Sequence, residues 1–315
     1  NVITNSKELR ILGISGVYNQ VLIDGLPMIQ GLSYTYGISG IPGTLVENIT
    51  ISKGTNSVLQ GYESISGQIN VETKETHNLP FPIDTAYVSE KESIATTFSY
   101  ERLQVCMPGY GYPYSDESYL NEKAPKETGL FMMDLNSGEK KLIVPVSVLV
   151  EKYGKDNADK YYHYVTHTEF SKDGRYISFL YRRMADGGDI NKRVTMMVVY
   201  DRQSDELILL PTQISGSHYV WNGKNQIIAS CIIDGKSCHV LYDMNDVENY
   251  KIIRPDVLNQ DGHQTFVNDD VFVTDTYPDK WRQSQLYIAN MSDGNVKKIL
   301  SINSPKKYQC KTVYN

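Results

Sequence analysis

Residues 217–253 read SHYVWNGKNQIIASCIIDGKSCHVLYDMNDVENYKII. Four short apolar strands alternate with turns in this stretch: Ser217-His218-Tyr219-Val220-Trp221, Ile227 to Ile233, Val240 to Asp243, and Tyr250 to Ile253. Asp234-Gly235 has the composition of a two-residue type I′ hairpin turn, because both positions tolerate positive φ. Pairing outward from that turn sets Cys231 directly opposite Cys238, with Cα atoms about 5.5 Å apart, within disulfide range. Either a bond or two reduced thiols fits, and reduced thiols are preferred here. The four cysteines of the chain do not form a disulfide scaffold at 315 residues.

The same unit recurs on both sides. Thr166-His167-Thr168-Glu169-Phe170 leads into Tyr176 to Leu180, Val194 to Asp201 and Leu207 to Leu210. Gly262-His263-Gln264-Thr265-Phe266 opens another, followed by Val271 to Thr274, Leu286 to Ile288 and Val296 to Leu300. The histidines at these openings are separated by 51 residues (from 167 to 218) and 45 residues (from 218 to 263). Four strands at a period of about 40–50 residues are the signature of propeller blades. Upstream, Gly129 to Leu135 and Lys140 to Ile143 form the outer hairpin of an earlier blade, with inner strands expected near Ser93 to Tyr100. Tyr308 to Tyr314 would start a fifth. Six or seven blades are usual, so the propeller is expected to be cut short at its C-terminus, leaving unpaired strand edges.

Residues 1–75 have a different texture: short apolar strands such as Val21 to Ile23 and Ile49 to Ile51, cut by many glycines. The prolines and polar residues of 76–89 read as a linker or junction. The expected fold is mainly β, a small α+β segment followed by an incomplete β-propeller of about four to five four-stranded blades over 90–315. A transmembrane barrel is disfavoured, since charged turns such as Lys172-Asp173-Gly174 recur and no aromatic girdles are visible.

Hydrophobic residues make up 40% of the chain, near the globular norm. No run of about 18 apolar residues exists to span a membrane as a helix. The net charge of −6 argues against nucleic acid as a partner, since phosphate binding needs a basic surface. The 24 tyrosines outnumber the seven phenylalanines, a balance that suits strands and surfaces that stack on sugars. Asn1 to Leu12 has neither a basic start nor an apolar h-region, so either a mature or truncated N-terminus or a cytoplasmic protein is expected.

The first strand of each blade lies nearest the propeller axis, so His167, His218 and His263 are expected to converge. There they either ligate a metal or act as an acid or base, or else make structural hydrogen bonds between blades. Arg182, Arg183 and Arg193, beside the inner hairpin of the His167 blade, and Arg282, after the Tyr277-Pro278-Asp279 turn, are candidate partners for a sugar carboxylate, with solvated surface charge as the alternative. Tyr110, Tyr112 and Tyr114 could stack on a sugar, although a blade-packing loop is preferred. No Gly-x-Ser-x-Gly elbow, phosphate-cradling loop or Cys-x-x-Cys pair is present.

Two resemblances, local and non-overlapping, sharpen these readings. Val21-Leu22-Ile23-Asp24-Gly25-Leu26-Pro27, Ile41-Pro42, Val46-Glu47-Asn48-Ile49, Lys53-Gly54, Ser57-Val58-Leu59, Gly61, Glu63-Ser64-Ile65 and Gly67-Gln68-Ile69-Asn70-Val71 follow in order the signature of the plug domain of TonB-dependent outer-membrane receptors, in the form common among Bacteroidetes. That resemblance covers residues 1–75. It implies TonB and a β-barrel as partners, an outer-membrane or periplasmic location, and a first plug half upstream.

His167 to Tyr287, with Ser217 to Trp221, Asp261-Gly262-His263 and Thr274 to Asp279, resembles oligogalacturonate-lyase-type propellers over about 90–315. This second resemblance implies manganese gripping a uronate carboxylate and a histidine base performing β-elimination. By position it makes His218 the base and His263 a metal ligand; blade phasing adds His167 as a second metal ligand, and guanidinium chemistry adds Arg193 to the catalytic set. Arg182, Arg183, Arg282 and Tyr219 would contact the ligand. The family's remaining ligands, a Gln and two His, would fall beyond Asn315, which puts catalysis in doubt. The expected function is that of a fragmentary or fused chain, a receptor plug joined to a propeller that binds an acidic oligosaccharide, with a cytoplasmic location open for the propeller alone.

Overall fold

The computed structural model describes residues 19–27, 41, 43–53, 67–74, 79–112, 118–155, 158–185, 193–213 and 215–306. The chain divides into two compact units, Asn1–Asn78 and Leu79–Asn315.

In the first unit, β1 (Asn19–Ile23), β2 (Leu26–Pro27), β3 (Val46–Lys53) and β4 (Gly67–Thr73) form one sheet in the order β2-β1-β4-β3. β1 runs parallel to β4, and β3 closes against β4 antiparallel. The Asp24-Gly25 turn is pinned by side chains: Asp24 accepts from the Thr73 hydroxyl at 2.6 Å, and the Gly25 N–H donates to Asn70 Oδ1 at 2.9 Å. Leu22, Ile69 and Val71 are buried, while Ile49 and Ile51 on β3 stay exposed. The glycine-rich stretch containing Gly54, Gly61 and Glu63 lies outside the described residues.

Among the described residues the second unit contains four antiparallel four-stranded sheets, each in sequence order. The first comprises β5 (Thr85–Val88), β6 (Ser93–Thr97), β7 (Gly129–Asp134) and β8 (Lys140–Pro145); the second β9 (Tyr161–Phe170), β10 (Tyr176–Ala185), β11 (Val194–Asp201) and β12 (Glu206–Leu209). The third is β13 (Tyr219–Trp221), β14 (Gln226–Ile233), β15 (Lys236–Asp243) and β16 (Asp246–Ile253); the fourth is β17 (Gln264–Asn268), β18 (Val271–Asp275), β19 (Gln283–Asn290) and β20 (Val296–Asn303). This is the blade pattern read from the repeats, a mainly β fold without a closed barrel among the described residues. Tyr308 to Tyr314, read as the start of a fifth blade, lies outside the described residues, and no helix among the described residues is long and apolar enough to cross a membrane.

Two sequence readings are corrected. The innermost strand of the first blade is β5, inside the 76–89 stretch read as a junction, and the Ser93–Tyr100 segment supplies only the second strand. Tyr100 instead begins helix α1 (Tyr100–Cys106), whose N-cap Ser99 accepts from the Arg102 N–H at 3.0 Å. β5 is only four residues long, with half-buried Thr85 and Tyr87 alternating with exposed Ala86 and Val88, and it follows Pro80 and Pro82. A second helix, α2 (Val146–Tyr153), follows β8.

Between successive blades lie apolar layers, as expected for sheets packed face to face. Phe179, Ile177 and Val198 of the second blade pack with Leu130, Val144 and Leu149 of the first. On the opposite face, Leu180, Met197 and Val199 pack with Trp221, Ile227 and Val240 of the third. Ile228 and Ile253 meet Phe272 and Ala289 of the fourth. Strand alternation explains the partition, since odd and even positions of β10 and β14 face different neighbours. The Asp234-Gly235 turn has φ of 49° and 72°, and Cys231 pairs with Cys238 across it; both thiols are free and buried.

Candidate functional site: a histidine-lined cavity at the inner strands

The inner strands of the second unit are tied blade to blade by polar side chains. Asp84 accepts from the Thr168 hydroxyl at 2.8 Å, linking the first blade to the second. The Tyr219 hydroxyl donates to the His167 carbonyl, linking the third to the second. Gln264 Nε2 donates to Ser230 Oγ at 2.6 Å, linking the fourth to the third. These ties surround a cavity of about 490 Å³ whose lining includes His167, Glu169, His218, Tyr219, His263 and Gln264. All three phased histidines therefore border one space.

They do so in different ways. His218 and His263 immediately precede the first strands of their blades, and their rings lie 4.1 Å apart between centroids. His218 Nδ1 is 3.1 Å from Asp261 Oδ1, and the same carboxylate accepts from Ser217 Oγ at 2.8 Å. His263 Nδ1 is 3.0 Å from Asp275 Oδ1, which also accepts the His263 backbone N–H at 2.7 Å. An ionised carboxylate can only accept, so each Nδ1 carries the hydrogen and each Nε2 presents a lone pair when the ring is neutral. Burial alone would raise Asp261, but hydrogen bonds from His218 and Ser217 hold its carboxyl below the usual range. Gly262 lets this turn form: a Cβ there would lie 2.0 Å from the Asp275 carbonyl oxygen.

His167 lies late in β9, not ahead of it, so its equivalence to the other two is only partial. It occupies a β-bulge opposite the Ser178–Leu180 segment with φ of 54°, in the left-handed region. Bulges re-aim side chains, and a non-glycine residue there carries local strain. His167 is exposed by accessible surface, yet crowding around the ring, followed by the charges of Arg182, His218 and Arg193, pushes its pKa down to about 4. It is neutral at pH 7. On the same strand, burial pushes the Glu169 carboxyl up to about 7, against the opposing pull of Lys172 and the Trp221 N–H.

The arginines separate by strand face. Arg182 is 5% exposed. It donates to Thr195 Oγ1 and Thr166 Oγ1, each at 3.3 Å, and approaches Met107 Sδ at 4.0 Å. Arg193 Nη1 reaches the same sulfur at 3.8 Å. Among the described residues neither guanidinium pairs with a carboxylate. Burial, then the charge of Arg193, lowers the Arg182 pKa to about 10, so it remains a cation at neutral pH. Arg183 points to the other face of β10, over the Tyr161 ring at 5.4 Å, with Nε buried and unpartnered among the described residues. Arg282 Nε donates to the Ser304 carbonyl at 2.5 Å and so braces the edge of the fourth blade.

Aromatic residues rim the site. Tyr277 lies 5.6 Å from His263 and 6.3 Å from His218, and is 53% exposed. Tyr110 is equally exposed and lies near both Arg182 and Tyr277. It follows α1, which is anchored by Arg102: the buried guanidinium donates to the carbonyls of His163 (2.8 Å), Glu122 (2.8 Å) and Lys123 (3.0 Å). Tyr112 stacks on Tyr100 with centroids 5.3 Å apart, while Tyr114 lies outside the described residues. Asp261 and Asp275, unassigned in the sequence reading, flank the quoted histidine motifs; Met107, Glu169 and Asp84 carry no local signal of a role.

Among the described residues no three His, Cys, Asp or Glu side chains form a group able to hold a metal. His167 and His263 therefore do not make a manganese site with their described neighbours, and no step is assigned to that ion.

Residues 3–68 match the family model of the TonB-dependent receptor plug domain. No curated protein matches the chain. Similar solved structures include an oligogalacturonate lyase in complex with manganese, at 12% identity over 56% of this chain and 49% of that one, with a TM-score of 0.40. The β-propeller domain of the trilobed protease from Pyrococcus furiosus matches at 14% identity over 69% of this chain and 57% of that one, with a TM-score of 0.39. The tricorn protease matches at 9% identity over 73% and 23%, with a TM-score of 0.43. The chain thus spans about half the length of the lyase and of the Pyrococcus domain. Its first unit carries a TonB-dependent receptor plug domain match, and its second has a β-propeller-like fold.

Proposed function

We propose that the second unit binds an acidic saccharide in the histidine-lined cavity. The observation that carries this reading is Arg182, a buried guanidinium beside Arg193, behind the cavity lining and close enough for its charge to act on His167, with no carboxylate partner among the described residues. A desolvated cation with only neutral partners is costly, and a ligand carboxylate would repay that cost through a charge-assisted contact. Tyr110 and Tyr277 offer ring faces at the rim, and the lone pairs on the histidine Nε2 atoms accept sugar hydroxyls. The plug match supports a TonB-dependent receptor context for the first unit, with TonB and a β-barrel as partners and an outer-membrane or periplasmic location; fractionation of cells expressing the chain tests this, and recovery from cytoplasm alone contradicts it.

The His218–Asp261 pair favours a second reading. With Nδ1 tied to a carboxylate, Nε2 can take a proton from a carbon adjacent to the ligand carboxylate, the first half of a β-elimination. Calorimetric titration with galacturonate and with neutral galactose separates charge recognition from generic sugar binding. Galacturonate should bind, galactose at least tenfold more weakly, and Arg182→Met should abolish the difference. Equal binding of both sugars to the unaltered chain rules the reading out. Release of an unsaturated uronide, followed by absorbance near the ultraviolet band of the conjugated acid, tests the elimination.

A further inference from the structure

The hairpin of β14 and β15 carries a chemistry that the histidine-lined cavity does not use. Cys231 and Cys238 stand directly opposite each other, separated in the chain only by Ile232 to Ser237. Counting outward from the Asp234-Gly235 turn makes them a hydrogen-bonded pair of the ladder. Their Cα atoms are then about 5.5 Å apart, inside the span of about 4.4–6.8 Å that a disulfide bridges. Strand alternation turns both side chains to the face that meets the second blade, in one apolar layer with Met197 and Trp221. The two thiols lie close enough to share a hydrogen bond. Cys106 belongs to a separate apolar cluster, with Leu103 and Tyr164.

Joining the sulfurs removes two S–H donors, and the surroundings tolerate that loss. Cys238 Sγ donates to the Cys231 carbonyl at 3.8 Å. In a hydrogen-bonded pair that carbonyl also accepts the Cys238 backbone N–H, which it keeps. Cys231 Sγ lies 3.6 Å from the Tyr242 hydroxyl, which itself donates to the Pro211 carbonyl at 3.0 Å. A disulfide therefore strands neither neighbour, and it avoids the penalty that attends an unpaired buried polar group.

The same packing that tolerates the bond shields the thiols. Cys231 borders a cavity of about 320 Å³ yet is only 3% exposed, and Cys238 is 2% exposed. Burial raises both thiols, Cys231 to about 12, so at neutral pH neither supplies appreciable thiolate, the form that exchange requires. In the unfolded chain the thiols regain their ordinary pKa of about 8.5. This close in sequence, they also meet within about 10–100 ns.

We infer that Cys231 and Cys238 form a disulfide when the chain folds in an oxidising compartment, and that packing of the third blade on the second then fixes the redox state of the pair. The oxidant is a small-molecule disulfide. The first cysteine thiolate attacks one of its sulfurs, and the other half leaves as a thiolate that takes up a proton. The second cysteine thiolate then attacks the protein sulfur of the mixed disulfide and displaces the remaining half. The two cysteines thus lose two electrons and two protons, and the oxidant gains them as two thiols. The outer-membrane or periplasmic location proposed above would supply such a compartment, while folding in a reducing one yields the dithiol. The inference does not depend on the saccharide reading.

The experiment refolds the full chain from urea with oxidised glutathione present throughout, or with dithiothreitol, then alkylates the remaining thiols and digests with trypsin. Cleavage after Lys224, Lys236 and Lys251 separates Asn225–Lys236, which holds Cys231, from Ser237–Lys251, which holds Cys238. The two peptides should appear as one species from the oxidised sample, split by reductant, and as two alkylated peptides from the reduced sample. Oxidised glutathione added to the chain after reduced folding should link them at least about tenfold more slowly, for want of thiolate. Separate peptides from the oxidised sample overturn the inference, as does linkage of either one to the peptide holding Cys106 or Cys310. Equal rates before and after folding overturn the fixing of the pair by blade packing. Should the chain fail to refold, cell-free synthesis with oxidised glutathione present, compared with its addition after synthesis, decides the question on the same peptides.

Discussion

Replacing Trp221 by Phe tests whether the second and third blades are held in register by one buried indole. Trp221 is fully buried, its Nε1 donates to Ser178 Oγ at 2.8 Å, and its ring lies 5.8 Å from Tyr176 at an interplanar angle of 8°. The substitution deletes Nε1 and two ring carbons. The hydrogen bond contributes about 1 kcal/mol net. Two buried carbons at about 0.8 kcal/mol each add roughly 1.6 kcal/mol. The expected loss is therefore about 2–3 kcal/mol, measured by urea denaturation followed by far-ultraviolet circular dichroism; fluorescence would mislead, because exposed Trp281 would be the remaining tryptophan. Ser178→Ala and the double variant complete a cycle whose coupling energy should be about 1 kcal/mol. A loss below about 1 kcal/mol for Trp221→Phe, or zero coupling, would refute the account of the interface. Because Ser217 and His218 lie just before Trp221, the same variant should also weaken galacturonate binding.

Arg182→Met should raise stability by about 1 kcal/mol while removing binding of the acid, since a buried cation without a carboxylate costs more than a thioether of similar length; a fall in midpoint urea concentration would show that the contacts to Thr166 and Thr195 outweigh desolvation. Asp201 accepts from Arg175 at 2.6 Å, and that hydrogen bond is the main cause of its lowered pKa. A carboxyl depressed in the folded state contributes stability that is present above its unfolded pKa, about 3.9, and lost as pH falls through the lower folded value. Arg175→Met should therefore flatten the decline of melting temperature below pH 4 relative to the unaltered chain; parallel declines would remove this pair from the acid response.

Local order in the chain was legible because the physics that sets it is local. The Asp234-Gly235 turn, the facing of Cys231 and Cys238 and the repeat of four short strands follow from turn chemistry and strand alternation, and all were realised. The first blade was misplaced by one strand because β5 is only four residues long and follows the prolines of the junction, and α1 was missed because Tyr100 to Cys106 is short and rests on its Ser99 cap and the Arg102 clamp. The phasing of His167, His218 and His263 pointed to one space, and one cavity does border all three. Arg182 and Arg183 were indistinguishable as neighbours in the chain, since only the packing of the blades decides which strand face meets Thr166, Thr195 and Met107 and which meets the Tyr161 ring.

The order of residues determined the strands, the turns, the plug signature of the first unit and the recurrence that makes equivalent positions converge. Tertiary structure alone decided what those positions do. Asp261 and Asp275 reach their histidines across turns closed by backbone approach at Gly262, and Met107 meets Arg182 and Arg193 from another blade. Such contacts join residues far apart in the chain, and their energies depend on burial and on the absence of a competing charge. Neither is a property of any single segment, and both arise only when the blades pack.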